Sequence, residues 1–317
     1  MGSYIIRRVL LIIPTLIISS LLIFCLIRLI PGSVIDKIVI QRQAYEAVDR
    51  QIIAHQLGLD VPIYKQYFRW IGGILLHGDF GTSILKNTPV TKDLMERWPI
   101  TFELGVLGMI FGLIIAIPIG IYSAMRQDSI GDYLGRSFAV LCLAIPNFWL
   151  ATLVIILPAI WWNWSPPIKL VPFIQDPLAN LQMFIIPSMI LGAGLAGITM
   201  RMTRTMMLEV LRQDYVRTAW AKGLKERVIV MRHALKNALI PTITIIGLQL
   251  PVLIGGEIII EKIFVLPGIG LLMLNAVTGR DYPVVVGVMI FIAIGTLAIN
   301  LLVDLCYGLV DPRVHYQ

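Results

Sequence analysis

Few side chains in this sequence could do chemistry, and their spacing rules out most of what they could do. Four histidines, His55, His77, His233 and His315, are scattered, with no HExxH pair to hold a metal on one helix face. Cys25, Cys142 and Cys306 fall in three separate apolar segments, without CxxC or Cys/His spacing. They read as buried small hydrophobes, not as a disulfide framework or a zinc site. No Gly-x-Ser-x-Gly nucleophile elbow is present. The run GAGLAGIT (Gly192, Gly194, Gly197) has the glycines of a phosphate loop, but the Lys that should follow the last glycine is missing: Ile198 stands there, and Met200 and Arg201 come after Thr199. Close helix packing through small residues accounts for it better. Catalytic, metal-binding and cofactor-binding residues are therefore expected to be absent, and the chain is read as something other than an enzyme.

What remains is a small set of ionisable residues inside apolar segments: Arg28, Glu103, Glu257, Asp304, and Glu261 beside Lys262. Charge is costly in lipid, so each is a functional candidate by default. Glu103, Glu257 and Glu261, with Arg280 and Asp281, are the candidates for a solute path or its outer mouth. Structural pairing or snorkelling at span ends is the competing account.

The elements that must position them are membrane helices. Of 317 residues, 57% are hydrophobic and 14% charged, with mean hydropathy +0.83; a soluble domain is nearer a quarter charged. A first run, Tyr4–Ile30, opens with Arg7 and Arg8, continues as a long apolar stretch and is too long for a signal peptide core. Five more follow, near Thr101–Met125, Phe138–Trp162, Phe184–Met200, Ile240–Ile260 and Pro283–Val310. Each is close to the ~20 residues needed to span, and the Phe184–Met200 run can continue past Arg201. Six spans place both termini inside. Charge agrees with this: the inside segments carry fourteen Lys and Arg, the two short outside loops only Lys169, Lys262 and Arg280. The +7 net charge thus requires no nucleic acid. Pro118, Pro146, Pro158 and Pro251 predict kinked helices, which occur around water-filled paths and also in ordinary packing.

Pro31–Pro99 is less hydrophobic and nearly charge-balanced, and reads as a small extracytoplasmic subdomain. Helices are expected at Ala44–Leu57, before Gly58, and at Ile63–Leu76, then a turn at GDFGTS (Gly78–Ser83). The domain reading is residues 1–30, first helix; 31–99, outer subdomain; 100–317, core with five helices and a loop at 201–238.

That loop holds nine of the 26 Lys and Arg residues against three acids. Met207, Val210, Leu211 and Tyr215 recur at helical spacing, Gly223 interrupts, and a second basic run from Val228 to Leu239 leads into Pro241. The expectation is helix, glycine turn, helix, with Thr218, Ala219 and Ala221 exposed beside the turn. A loop of this length with its own periodicity is usually docked on something.

DYVRTAWAKGLKERVIVMRHALKNALIP resembles the coupling loop of the inner-membrane permease subunits of ATP-binding-cassette importers, in the dipeptide and oligopeptide branch. Ala219 and Gly223 match the general Glu-Ala-Ala, three residues, Gly pattern. Arg217, Thr218 and the late Pro241 depart from it as the peptide branch does. GDFGTS, RWPITFEL, Phe264, Pro267–Gly268, Gly270, RDYP (280–283), Asn300, Asp304 and DPR (311–313) are similar in order and spacing, so the resemblance covers nearly the whole chain. It implies an all-α membrane protein of the type I importer permease fold, forming half of a translocation path. Arg217, Thr218, Ala219, Lys222, Gly223 and Leu224 would couple it to an ATPase. The implied partners are a second, homologous permease, two ATPase subunits that bind ATP and Mg, and an extracytoplasmic solute-binding protein. The implied location is a bacterial or archaeal cytoplasmic membrane. Peptide cargo is the expectation, with a nickel chelate, glutathione or an oligosaccharide as alternatives. An ion-coupled secondary transporter would want midplane acids or an inverted repeat, and neither is visible.

Overall fold

A computed structural model describes residues 2–29, 61–255 and 257–310, and within these the side chains of residues 2–9, 27–29, 252–254 and 306–310 are left aside. The expected helix Ala44–Leu57, Arg28 and the DPR motif lie outside what is described. In chain order the helices are α1 (Gly2–Leu29), α2 (Ile63–His77), α3 (Val90–Met125), α4 (Ile130–Ala144), α5 (Asn147–Trp162), α6 (Pro177–Leu211) and α7 (Asp214–Ala221). A single turn, α8 (Glu226–Val228), passes through a π-helical stretch, Ile229–Ala234, into α9 (Leu235–Ile254). Then come α10 (Ile258–Ile263), α11 (Ile269–Gly279) and α12 (Tyr282–Val310).

Among the described residues four helices are long and apolar enough to cross a membrane, or five if α4 and α5 count as one broken span. The apolar core of α1, Leu10–Leu26, is shorter. Phe138–Trp162 was expected as one kinked span, and the chain instead turns through 93° between α4 and α5. Pro146 caps α5, where it has no N–H to donate back to α4. By contrast α6 does run on past Arg201: 35 residues reach about 52 Å, well beyond a ~30 Å hydrocarbon layer.

The chain divides into two compact units. The first takes Ile100–Leu266 and the stretch from Ala298 on. Here α6 is the central element, with Phe184, Leu191, Leu195 and Met200 buried along it. Its small residues set the packing. A Cβ on Gly192 would collide with the Gly108 carbonyl oxygen and meet the Gly112 nitrogen of α3, and one on Gly197 would lie 2.8 Å from the Ala139 carbonyl of α4. The close-packing reading of GAGLAGIT holds for these two glycines. Gly194 differs, since nothing lies within 4 Å of where its Cβ would be. Cys142 is half-buried and Cys25 is exposed, so Cys25 is not the buried hydrophobe its surroundings in sequence led one to expect.

The second unit holds Gly2–Pro99 and Pro267–Leu297. Ile63–Leu76 was expected to be helical and is, with Gly78 (φ +63°) ending α2. Trp70 stacks on Phe24 with ring centroids 5.7 Å apart, and Tyr67 OH shares a 2.8 Å hydrogen bond with Ser20 Oγ. Val90, Leu94, Leu272, Val285 and Val288 form a buried cluster. Pro267–Gly268 leads into α11, with Gly268 as its N-cap and Gly270 inside the helix.

Candidate functional site

The basic loop is a built structure. α6 ends at Leu211, and Arg212 and Gln213 break the helix once more than the periodicity indicated. α7 then lays Val216 and Ala219 against Ile229, a small cluster completed by Val210 and Leu211. Ala219, expected to be exposed, is buried at 6% because it lies on this inward face, one helical turn after Val216. Thr218 and Ala221 are exposed as expected. Asn237 Nδ2 donates to Tyr215 OH at 2.8 Å and ties α7 to α9.

The turn closes with two reverse hydrogen bonds. Leu224 N–H reaches back to the Ala219 carbonyl (3.4 Å) and Gly223 N–H to the Trp220 carbonyl (2.9 Å). This is the Schellman arrangement, with Gly223 at the left-handed position, φ +73°. Around it the exposed side chains are Arg217, Trp220, Lys222 and Leu224. A tryptophan and an arginine exposed on a rigid turn have the composition of a protein contact. Trp220 was not singled out from the sequence, although an aromatic residue in a basic loop was the available signal.

Behind the loop, α4 is locked to α6. Asp132 is fully buried and accepts two bonds from Arg204, from Nε and Nη2, both 2.7 Å. Arg136 approaches the same carboxylate at 3.5 Å, and its guanidinium lies over the Tyr133 ring at 4.4 Å. Asp132 also accepts from the Asp128 N–H (3.0 Å), while Ser129 Oγ caps the helix by accepting from Asp132 N–H at 3.3 Å. The S-x-x-D spacing is a variant of the capping box and was readable; the choice of Arg204 among nine loop cations was not.

Within the first unit the path candidates Glu103, Glu257 and Glu261 do not form one cluster. Glu261, on α10, is fully buried and accepts from Thr101 Oγ1 at 2.6 Å. Glu103, two residues along α3, faces elsewhere: its side chain meets Asn180, and Oε1 has no hydrogen-bond partner among the described residues. Arg280 ends α11 in the left-handed region, φ +55°. Asp281 is buried and accepts from Ser83 Oγ, from Ile84 N–H (3.1 Å) and from Leu85 N–H (3.4 Å), so it fastens the residues that follow GDFGTS to the head of α12. Glu257 opens onto a cavity of about 350 Å³. The wall includes Asn147, Gly194, Leu195 and Gln249, with the Asn147 amide beside the Glu257 carboxylate. Asn147 and Gln249 were passed over in the sequence, where an amide inside an apolar run was the only mark they left.

This bundle is that of transporter permease chains. A chain of an inward-facing methionine ABC transporter matches with TM-score 0.56, covering 69% of this chain and 96% of that one at 18% identity. A chain of an amino acid ABC transporter matches at 0.54, with 69% and 94% coverage and 13% identity. The chain belongs to the binding-protein-dependent transport system inner membrane component family, which matches residues 116–316; its N-terminal companion family matches residues 1–105. A putative peptide transport system permease protein of Brucella suis is 40% identical over the full length of both chains. The dipeptide transport system permease protein DppB of Escherichia coli is 37% identical and the oligopeptide transport system permease protein AppB of Bacillus subtilis 39%, again over full lengths. The resemblance first drawn from DYVRTAWAKGLKER and its companions is thereby established. The chain is a membrane permease component, not an enzyme.

Proposed function

We propose that this chain forms one half of the translocation path of an ATP-driven peptide importer. The observation that carries the reading is the turn after α7: a short helix, fixed on its buried side by Val216 and Ala219, presents Arg217, Trp220 and Leu224 from a closed Schellman cap. Force delivered there passes into α6, whose packing against α3 and α4 is tight enough to move as a body. Separate ATPase subunits supply that force. A second, homologous permease completes the path, and a binding protein delivers the solute. Six spans, with both termini and the 201–238 loop on the cytoplasmic side and residues 31–99 outside, fit the charge distribution. The peptide assignment follows the named cargo of the full-length relatives.

The test is Gly223→Asp in the assembled transporter. The new side chain meets open space but must adopt φ +73°, at a cost of about 1–2 kcal/mol that loosens the cap. Membrane insertion should persist while peptide-stimulated ATP hydrolysis is lost. Stimulated hydrolysis at the wild-type rate would refute the coupling role.

A further inference from the structure

The cavity at the α4–α5 break has a chemistry that the transport reading leaves open. Its walls are largely apolar, from Leu143, Leu191, Leu195 and Ile198, with Asn147, Gln249 and Glu257 as polar groups. Among the described residues that line it there is no Lys, Arg or His, and Glu257 is the one charged group. About 350 Å³ holds on the order of ten waters, or the end of a short peptide, and lies in the range of small-ligand sites. Gly194 contributes a recess in the wall, because no atom stands within 4 Å of its missing Cβ.

A carboxylate at this depth repels anions and favours a cation, and the apolar walls strengthen both effects. The Asn147 amide lies beside Glu257 in the cavity wall and brings an oxygen acceptor of its own. Gln249 adds another amide oxygen. Three oxygen acceptors around one negative charge suit a primary ammonium, which has three N–H donors.

We infer that this cavity is a transient seat for the ammonium group of a peptide in passage, held by Glu257 with Asn147 and Gln249. The inference rests on the peptide-transport reading and concerns the seat alone. It applies equally to an amino-terminal ammonium and to a lysine side chain, which the test separates.

The experiment measures equilibrium binding to the purified, assembled transporter without ATP or binding protein, by saturation-transfer NMR. Three probes are used: alanyl-alaninamide, its N-acetylated form, and N-acetyl-lysinamide. The first should bind saturably. Glu257→Gln should weaken it about ten-fold or more, and Glu257→Asp should retain most of the affinity. The acetylated dipeptide should bind the wild type no better than the first probe binds Glu257→Gln. Gly194→Leu, which fills the recess, should abolish binding while the assembly still elutes intact. N-acetyl-lysinamide binding as well as the first probe would assign any ammonium to the seat, and weaker binding would assign the amino terminus. Absence of saturable binding by the first probe, equal binding of the acetylated dipeptide, or unchanged affinity in Glu257→Gln would each overturn the inference. Because no hydrolysis is read, such a failure is distinct from failure of the coupling test on Gly223.

Discussion

Around Asp132 the bundle closes a carboxylate beneath two arginines, and around Glu257 it leaves one facing an open space. Both acids lie in the first unit, and both stand at the edge of apolar segments. Asp132 accepts a bidentate pair from Arg204 and a backbone N–H, with Arg136 as a further cation nearby. Glu257 has the Asn147 amide beside it and borders a cavity of about 350 Å³. The same functional group is thus a rivet between helices in one place and part of a cavity wall, a socket, in the other. Residue type alone could not have told them apart; the count of donors around each does.

The contrast predicts a ranked series of stability effects, read as thermal midpoints of the purified chain. Asp132→Ala should be the most severe, at about 3 kcal/mol, because it strands a largely buried guanidinium. Arg204→Lys keeps the charge but loses the two-pronged geometry, and should cost about 1–2 kcal/mol. Thr101→Val removes one donor from buried Glu261 and should cost about 1 kcal/mol. Glu257→Gln should stay within about 0.5 kcal/mol of wild type or gain slightly, since no basic lining residue is left behind. Arg217→Ala, breaking a 3.6 Å pair with an Asp214 that is almost wholly exposed, should leave the midpoint unchanged and serves as the baseline. A Glu257→Gln loss as large as that of Asp132→Ala would erase the distinction between rivet and socket.

Much of this was legible in the chain itself. The basic loop with its Gly223 turn, helix Ile63–Leu76 and the extension of α6 beyond Arg201 all follow from hydrophobic spacing, charge and glycine placement. Which face of α7 turns inward did not follow. Thr218 and Ala219 are neighbours of similar size, and only the presence of Ile229 and Val210 decides that Ala219 is covered. The Asp132–Arg204 pair joins residues 72 apart, and a loop with nine cations offers no local clue to the partner. Pro146 announced a disturbance but not its size, since a missing N–H permits a bend without fixing its angle. Gly194 shows the same limit, because a small residue serves close packing at one position and vacancy two residues away.

The right-angled corner between α4 and α5 also bears on hydration. Fifteen and sixteen residues give rods of about 22 and 24 Å, so neither alone covers a ~30 Å hydrocarbon layer. At the corner the backbone ladder is interrupted, and the last carbonyls of one rod and the first amides of the next cannot satisfy each other. Lipid tails offer them nothing. Ile145, Pro146 and Asn147, the corner itself, line the cavity. The bend thus sets a wettable spot inside an otherwise oily bundle, and any solute arriving there meets a ready-made replacement for its water shell.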